Sequence, residues 1–251
     1  MIMMVLNKKK LKKIFIGILV IILAILGFLF VNRNNDKPTL NMFYKASEPY
    51  YNGNKTNSGR VAISCNVDLG WESEYIEKIL KVLDEKKAKI TFAVTGRWAE
   101  ENPEFLLEIQ KKGHEIANHG YKHLDYGTLD YDKNYEQIKT SKKIIDEIIK
   151  TETKFFQAPG GSFNKDTVKA AIDLGYIPYK WDIDTIDWKN RQEPEVIIKR
   201  VKSKDMKDSS IILMHPTHAS AEGIDDIIEI IESKGLKPGK LSDVFDVKKT
   251  I

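Results

Sequence analysis

Cysteine is all but missing. Cys65 is the single one in 251 residues, so no internal disulfide is available and the fold must rest on its core. Histidine is scarce too, at five residues, which makes each one worth locating. A surplus of positive charge is missing from most of the chain. Residues 1–37 hold seven Lys and Arg against one Asp, which leaves 33 basic and 35 acidic residues in the remainder. That near-neutral remainder excludes an extended nucleic-acid surface.

One long apolar run is present. Lys8, Lys9, Lys10, Lys12 and Lys13 precede residues 14–31, IFIGILVIILAILGFLFV. Eighteen apolar residues suffice to cross a bilayer, and the run has no polar face with which to sit on a globular core. No small-x-small cleavage site follows, since the next residues are Asn32, Arg33, Asn34 and Asn35. The run reads as an uncleaved signal anchor, a cleaved signal peptide being the alternative. Lysines stay in the cytoplasm, so residues 1–13 are expected inside and the bulk of the chain outside. The expected protein is single-pass in a cell membrane with an extracytoplasmic domain; an exported domain without disulfides is ordinary in a bacterium. Residues 32–58 are a polar linker in which Phe43, Tyr44, Tyr50 and Tyr51 are able to pack. The domain is expected over residues 59–251.

Within it, strand and helix signals alternate. AISC, AKITFAV, HEIA, KFFQA, YIPYKWDID and SSIILMH read as strands. Between them lie helical stretches over 72–85, from Asn102 and Pro103 to a stop at Gly113, over 131–150, from an Asn164 cap to Gly175, over 194–202, and over 221–234. The continuous apolar character of SSIILM marks a parallel strand covered on both faces. Six or seven βα units imply an α/β fold with a parallel sheet, either doubly wound or a distorted barrel. The positions of the polar residues favour the barrel.

Those residues collect at strand C-termini. The first strand ends on Asn66 and Asp68, two apart and so on one face. The third gives His119 and His123, the fourth Gln157 to Gly161, the fifth Asp184, Asp187 and Trp188, and the sixth His215. In a βα barrel these ends converge on one mouth, where catalytic groups sit. An i, i+4 histidine pair lets two imidazoles reach one metal, with Asp68 able to supply a carboxylate; the bland reading is a surface or core pair. His215 with Asp187 reads as an oriented general acid, or as a buried histidine satisfied by a carbonyl. Trp188 suits a sugar ring or the core. Asn66 and Asp68 also fit a plain capped turn. His114, at the start of its strand, reads as structural.

ITFAVTGRWAEENPE, GHEIANHGYKH, PGGSFN, DTIDW and IILMH, in this order, resemble the polysaccharide deacetylases of the NodB-homology type, carbohydrate esterase family 4. The resemblance covers about residues 40–247. It implies a distorted (β/α)7 barrel and a divalent metal, usually Zn2+, with Co2+ another fit. It also implies removal of N-acetyl groups from amino sugars of peptidoglycan or a related glycan. Carried over, His119, His123 and Asp68 would be metal ligands, and His215 the acid that protonates the leaving amine, tuned by Asp187. Trp188, Gln157, Pro159, Gly160 and Gly161 would shape the substrate groove.

Two positions depart from the pattern. The family's TFDDG is here SCNVDLG, which puts Asn66 in the place of the base and Asp68, one residue late, in the place of the ligand. Gln157 stands where the family's RxPYG has its Arg. The acid half of the site is therefore expected intact and the base half altered. The leading expectation is a metal-dependent N-deacetylase; the alternative is a catalytically impaired glycan-binding homologue that keeps the metal site. A metal-free glycosidase is disfavoured, because Asp184 and Asp187 share one strand end rather than flanking a substrate.

Overall fold

The computed structural model describes residues 48–247. Segments 1–13 and 14–31 and the linker up to residue 47 lie outside the described residues. Among the described residues no helix is long and apolar enough to cross a membrane.

Among the described residues eight parallel strands form one sheet: β1 (Arg60–Val67), β2 (Thr91–Val94), β3 (Glu115–Asn118), β4 (Phe155–Phe156), β5 (Ile177–Pro178), β6 (Ile183–Asp184), β7 (Ile211–Met214) and β8 (Lys237–Gly239). Their order is β5-β4-β3-β2-β1-β7-β6, with β8 paired to the start of β1. The expected distorted barrel is present as a half-barrel of parallel strands, with β5 and β6 at its two ends. The reason lies in YIPYKWDID, read as one strand. Pro178 has no N–H to donate, and the stretch divides into two strands of two residues that pair with different neighbours, β4 and β7.

β1 is central and buried from Val61 to Val67. Its odd-numbered residues, Val61, Ile63, Cys65 and Val67, join the core beneath the outer helices. Its even-numbered ones face the half-barrel interior, where Ala62 packs with Ala93, Ala117, Phe155, Tyr179 and Phe245. Alanines at adjoining positions of β1, β2 and β3 leave room for these rings. The even parity continues through Ser64 to Asn66, so Asn66 and Asp68 emerge at the open end of that interior.

Helices α1 (Ser73–Glu85), α2 (Gly96–Glu101), α3 (Pro103–Lys111), α4 (Tyr131–Ile149), α5 (Lys165–Asp173), α6 (Pro194–Lys202), α7 (His218–Ser233) and α8 (Leu241–Val244) follow the strands. α1 buries Ile76, Ile79, Leu80 and Leu83, the i, i+3, i+4, i+7 stripe of a helix on a sheet. Asn164 caps α5 through a full capping box with Thr167. Asn102 does not cap α3 with its side chain; its amide donates instead to Trp98 O at 3.0 Å, closing the unforeseen α2. α7 starts at His218, three residues before its expected start, because Thr217 accepts from Ser220 N. The described end of the linker lies on the domain: Tyr50 N donates to Pro178 O and Lys180 N to Tyr50 O, and Gly53 N bonds Ser209 O.

Candidate active site

A cleft of about 460 Å³ opens at the C-terminal end of the strands, within the size range of small-ligand sites. Asn66, Asp68, His119, His123, Gly160, Trp188 and His215 all line it, together with Asp184, Trp71, Trp181 and Arg191. Of the other expected residues, Asp187 lies fully buried behind His215, and Gln157 is buried behind Asn66. Pro159 and Gly161 form the short turn that carries Gly160. Gly161 is obligatory there: its φ is +64° and a Cβ would stand 2.7 Å from the Trp181 ring.

On one side of the cleft His215 and Asp187 form a hydrogen-bonded pair. His215 Nδ1 lies 2.8 Å from Asp187 Oδ1, so Nδ1–H donates to the carboxylate and Nε2 is the free nitrogen. Asp187 also accepts from the His215 backbone N–H and from Ser220 Oγ at 2.5 Å. Three donors on one buried carboxylate hold it, and with it the imidazole, in a fixed orientation. The DTIDW turn makes this placement by force. Ile186 sits at φ +58°, a left-handed conformation rare for a β-branched residue, and Asp184 Oδ1 accepts its N–H at 2.8 Å. The reversal sends Asp187 inward and leaves Trp188 half exposed at the rim. The Trp71 ring stacks on His215 at 5.3 Å.

The opposite side carries no carboxylate at the position of Asn66. The Asn66 amide donates to Gln157 Oε1, and Ser64 Oγ reaches Asn66 Oδ1 at 3.4 Å. Gln157 Nε2 is buried without a partner among the described residues. Two neutral amides thus hold each other, and neither can take a proton from water at ordinary pH.

His119 Nδ1 lies 2.9 Å from Gln157 O, which fixes the proton on Nδ1 and leaves Nε2 with its lone pair. Burial, with His123 second, pushes its pKa down to about 3, so the ring is neutral and able to ligate. His123 is exposed, its ring 5.7 Å from that of His119. Asp68 Oδ1 accepts from Thr95 Oγ1 at 2.7 Å. The donor set of one carboxylate and two imidazoles suits a divalent ion in kind. The expected three-ligand centre is nevertheless not drawn together: among the described residues no three His, Cys, Asp or Glu stand close enough to hold one ion. Thr95 engages one oxygen of Asp68 and leaves the other open, while the His123 ring stands in solvent 5.7 Å from that of His119.

His114 is structural, as expected: its Nδ1 accepts from Ile90 N at 3.2 Å at the far end of the sheet. Trp71, Trp181, Arg191 and Ser220 were not anticipated. They lie in aperiodic loops or on a helix start, and nothing in their local sequence marks them.

A model described as polysaccharide deacetylase matches residues 54–179. The chain is 35% identical to the uncharacterized protein YlxY of Bacillus subtilis over 84% of its own length, and it spans 64% of that relative's length. It is 29% identical to a peptidoglycan-N-acetylglucosamine deacetylase of Bacillus cereus, covering 82% of this chain and 73% of that one. Among solved structures, BA3943 of Bacillus anthracis, a CE4 family pseudoenzyme, is 34% identical with a TM-score of 0.74, over 79% of this chain and 69% of that one. A BA3943 mutant with restored enzymatic activity matches equally well. The chain belongs to the polysaccharide deacetylase family, carbohydrate esterase family 4, a family of hydrolases acting on non-peptide carbon–nitrogen bonds.

Proposed function

We propose that this protein is an N-deacetylase acting on acetylated amino sugars of peptidoglycan, metal-dependent, and slow because its base half is neutral. The observation that carries the reading is the His215–Asp187–Ser220 arrangement, which aims one imidazole nitrogen into a cleft walled by Trp71, Trp181 and Trp188. Indoles of this kind suit the apolar faces of a sugar ring. Hydrolysis of the acetamide consumes one water and yields acetate and a free amine. His215 Nε2 delivers the proton that the departing nitrogen needs, and Asp187 stabilises the imidazolium that precedes the transfer. Asp68, His119 and His123 are the residues that would hold the ion. When bound, a divalent cation supplies Lewis acidity, acidifying water and polarising the carbonyl. Asn66 orients a water by hydrogen bonding but does not deprotonate it, which costs about the 10²–10⁴ that a positioned base contributes.

The Asn66–Gln157 amide pair favours a second reading, a glycan-binding homologue without turnover. Residues 14–31 and the five preceding lysines support placing the domain outside a cell membrane on a single anchor.

Acetate release from peptidoglycan by the full-length chain separates the two readings. Metal-stripped protein is given Zn2+ or Co2+ and compared with His119→Ala and His215→Ala. Metal-dependent release lost in both variants supports the deacetylase. Glycan binding with no release selects the second reading, and absence of both removes the two together.

A further inference from the structure

We propose that the cleft selects a glycan bearing a carboxylate, received by Arg191, over a neutral amino-sugar chain. The inference rests on the glycan reading of the same cleft and names its substrate class. Arg191 lies between β6 and α6, and its carbonyl accepts from Ala219 N at 2.8 Å, which ties the loop to the first turn of α7. The guanidinium carbon stands 4.3 Å from the centroid of the Trp71 ring, and that ring in turn stacks on His215 at 29°. Arg191, Trp71 and His215 therefore form one continuous wall of the cleft.

Two arginines elsewhere in the domain spend side-chain N–H groups on backbone carbonyls. Arg60 gives an N–H to Pro238 O, and Arg200 gives one to Asp184 O. Arg191 is exposed, and among the described residues no carboxylate comes within 4.0 Å of it. Stacking occupies one face of the guanidinium and leaves its N–H edge open. An open fork of N–H groups beside a reacting centre matches a planar acceptor with two oxygens. The other charges of the cleft sharpen the choice, because Asp68 and Asp184 also line it. A carboxylate seated away from Arg191 meets like charge, so its favourable position is narrow.

The chemistry of the substrate class supplies such a group. In a muramyl residue the lactyl ether stands on the ring carbon next to the one that bears the acetamide. A sugar that presents its acetamide nitrogen to His215 brings that substituent to the neighbouring wall. The carboxylate has two sources: the lactyl group itself when it carries no peptide, or the acidic groups of an attached stem peptide. A chitin-type chain has neither.

Calorimetric titration of the full-length chain in detergent with three glycans tests this. They are tetra-N-acetylchitotetraose, a peptide-free tetrasaccharide alternating N-acetylglucosamine and N-acetylmuramic acid, and the same tetrasaccharide carrying stem peptides. Arg191→Gln is expected to weaken the muramyl ligands about five- to tenfold and to leave chitotetraose unchanged, with Arg191→Lys recovering part of the loss. The wild-type preference should shrink as salt is raised. Which muramyl ligand responds identifies the source of the carboxylate. Equal weakening of all three ligands would assign Arg191 a packing role on Trp71 and overturn the inference, as would no change in any. Equal wild-type binding of all three overturns the inference alone, and failure to bind any overturns the glycan reading with it.

Discussion

At the scale of single residues, the proposed reaction turns on one neutral side chain. Asn66 and Gln157 are both neutral, and Gln157 Nε2 has no partner among the described residues. Replacing Asn66 by Asp converts the first into an acceptor, and Gln157 has only to turn its amide to donate Nε2–H to the new carboxylate. The present orphan donor is thereby satisfied. Asn66→Asp is expected to raise acetate release by about 10²–10⁴, in a form still abolished by His215→Ala; a flat response in the acetate assay would refute the assignment of position 66. Much of this site was legible from the sequence. Strand parity put Asn66 and Asp68 together, and strand-end logic brought His119, His123, Trp188 and His215 to the same mouth. Trp71 and Arg191 were not legible, because their contact joins two aperiodic loops 120 positions apart. No period or motif encodes such a meeting.

At the scale of elements, the loop after β3 bears both histidines and is shaped by Gly120. Its φ is +77°, and a Cβ there would stand 2.0 Å from the Tyr126 hydroxyl. That hydroxyl accepts from Tyr121 N at 3.1 Å, while Gly120 N bonds Asn118 Oδ1 at 2.7 Å. Gly120→Ala must displace Tyr126, a fully buried ring, or unwind the turn. A loss of about 1–3 kcal/mol is expected by urea unfolding, with weakened Zn2+ binding, since His119 and His123 flank the strained position. Wild-type stability and metal affinity in this variant would show that the loop does not depend on the turn. Helices with long apolar stripes, such as α1 and α4, were readable for the reason that they pack on a sheet. Short elements were not. α2 has six residues and begins on a Thr95 cap that no stripe announces, and β8 has three residues with a central proline. Both exist because neighbours hold them.

At the scale of the whole molecule, the end of the sheet opposite the cleft carries a pH-dependent share of the stability. His114 is buried there, its Nδ1 accepting from Ile90 N and its ring edge-on to Phe92. Burial, reinforced by Lys89, holds its pKa down to about 4 from 6.5, with Asp84 opposing and Lys112 adding weakly. The unfolded chain takes up this proton near 6.5 and the folded chain near 4, so the unfolded state binds more protons in between. Stability is complete above about pH 6.5, falls as the pH drops to about 4, and loses nothing further from this group below that. Glu115, raised by burial, acts in the opposite sense at the acid end. His114→Gln, whose side-chain oxygen can still accept from Ile90 N, should flatten the dependence of the urea midpoint between pH 6.5 and 4; an unchanged slope would remove His114 as its source.

The same end of the molecule shows where the fold begins. The change from a polar stretch to alternating strand and helix signals suggests that the domain starts near residue 59, yet the preceding ten residues are built into it. Tyr50 meets the Phe245 ring at 5.4 Å and bridges to Tyr179. Gly53 lies so close to Val244 that a Cβ would stand 2.3 Å from its carbonyl oxygen. Asp208 gathers Ser58 Oγ at 2.6 Å and the Gly59 N–H at 2.7 Å. These contacts cover α8 and the interior cluster of Phe155, Tyr179 and Phe245, so removing them opens the floor of the half-barrel to water. A chain that begins at residue 48 should therefore melt above one that begins at residue 60. The shorter form should lose several degrees, because it gives up the half-buried Tyr50 ring and the Ser58 and Gly59 bonds to Asp208. Equal melting temperatures for the two truncated forms would make this segment a passive tether. The expected difference makes it the floor on which the cleft is built.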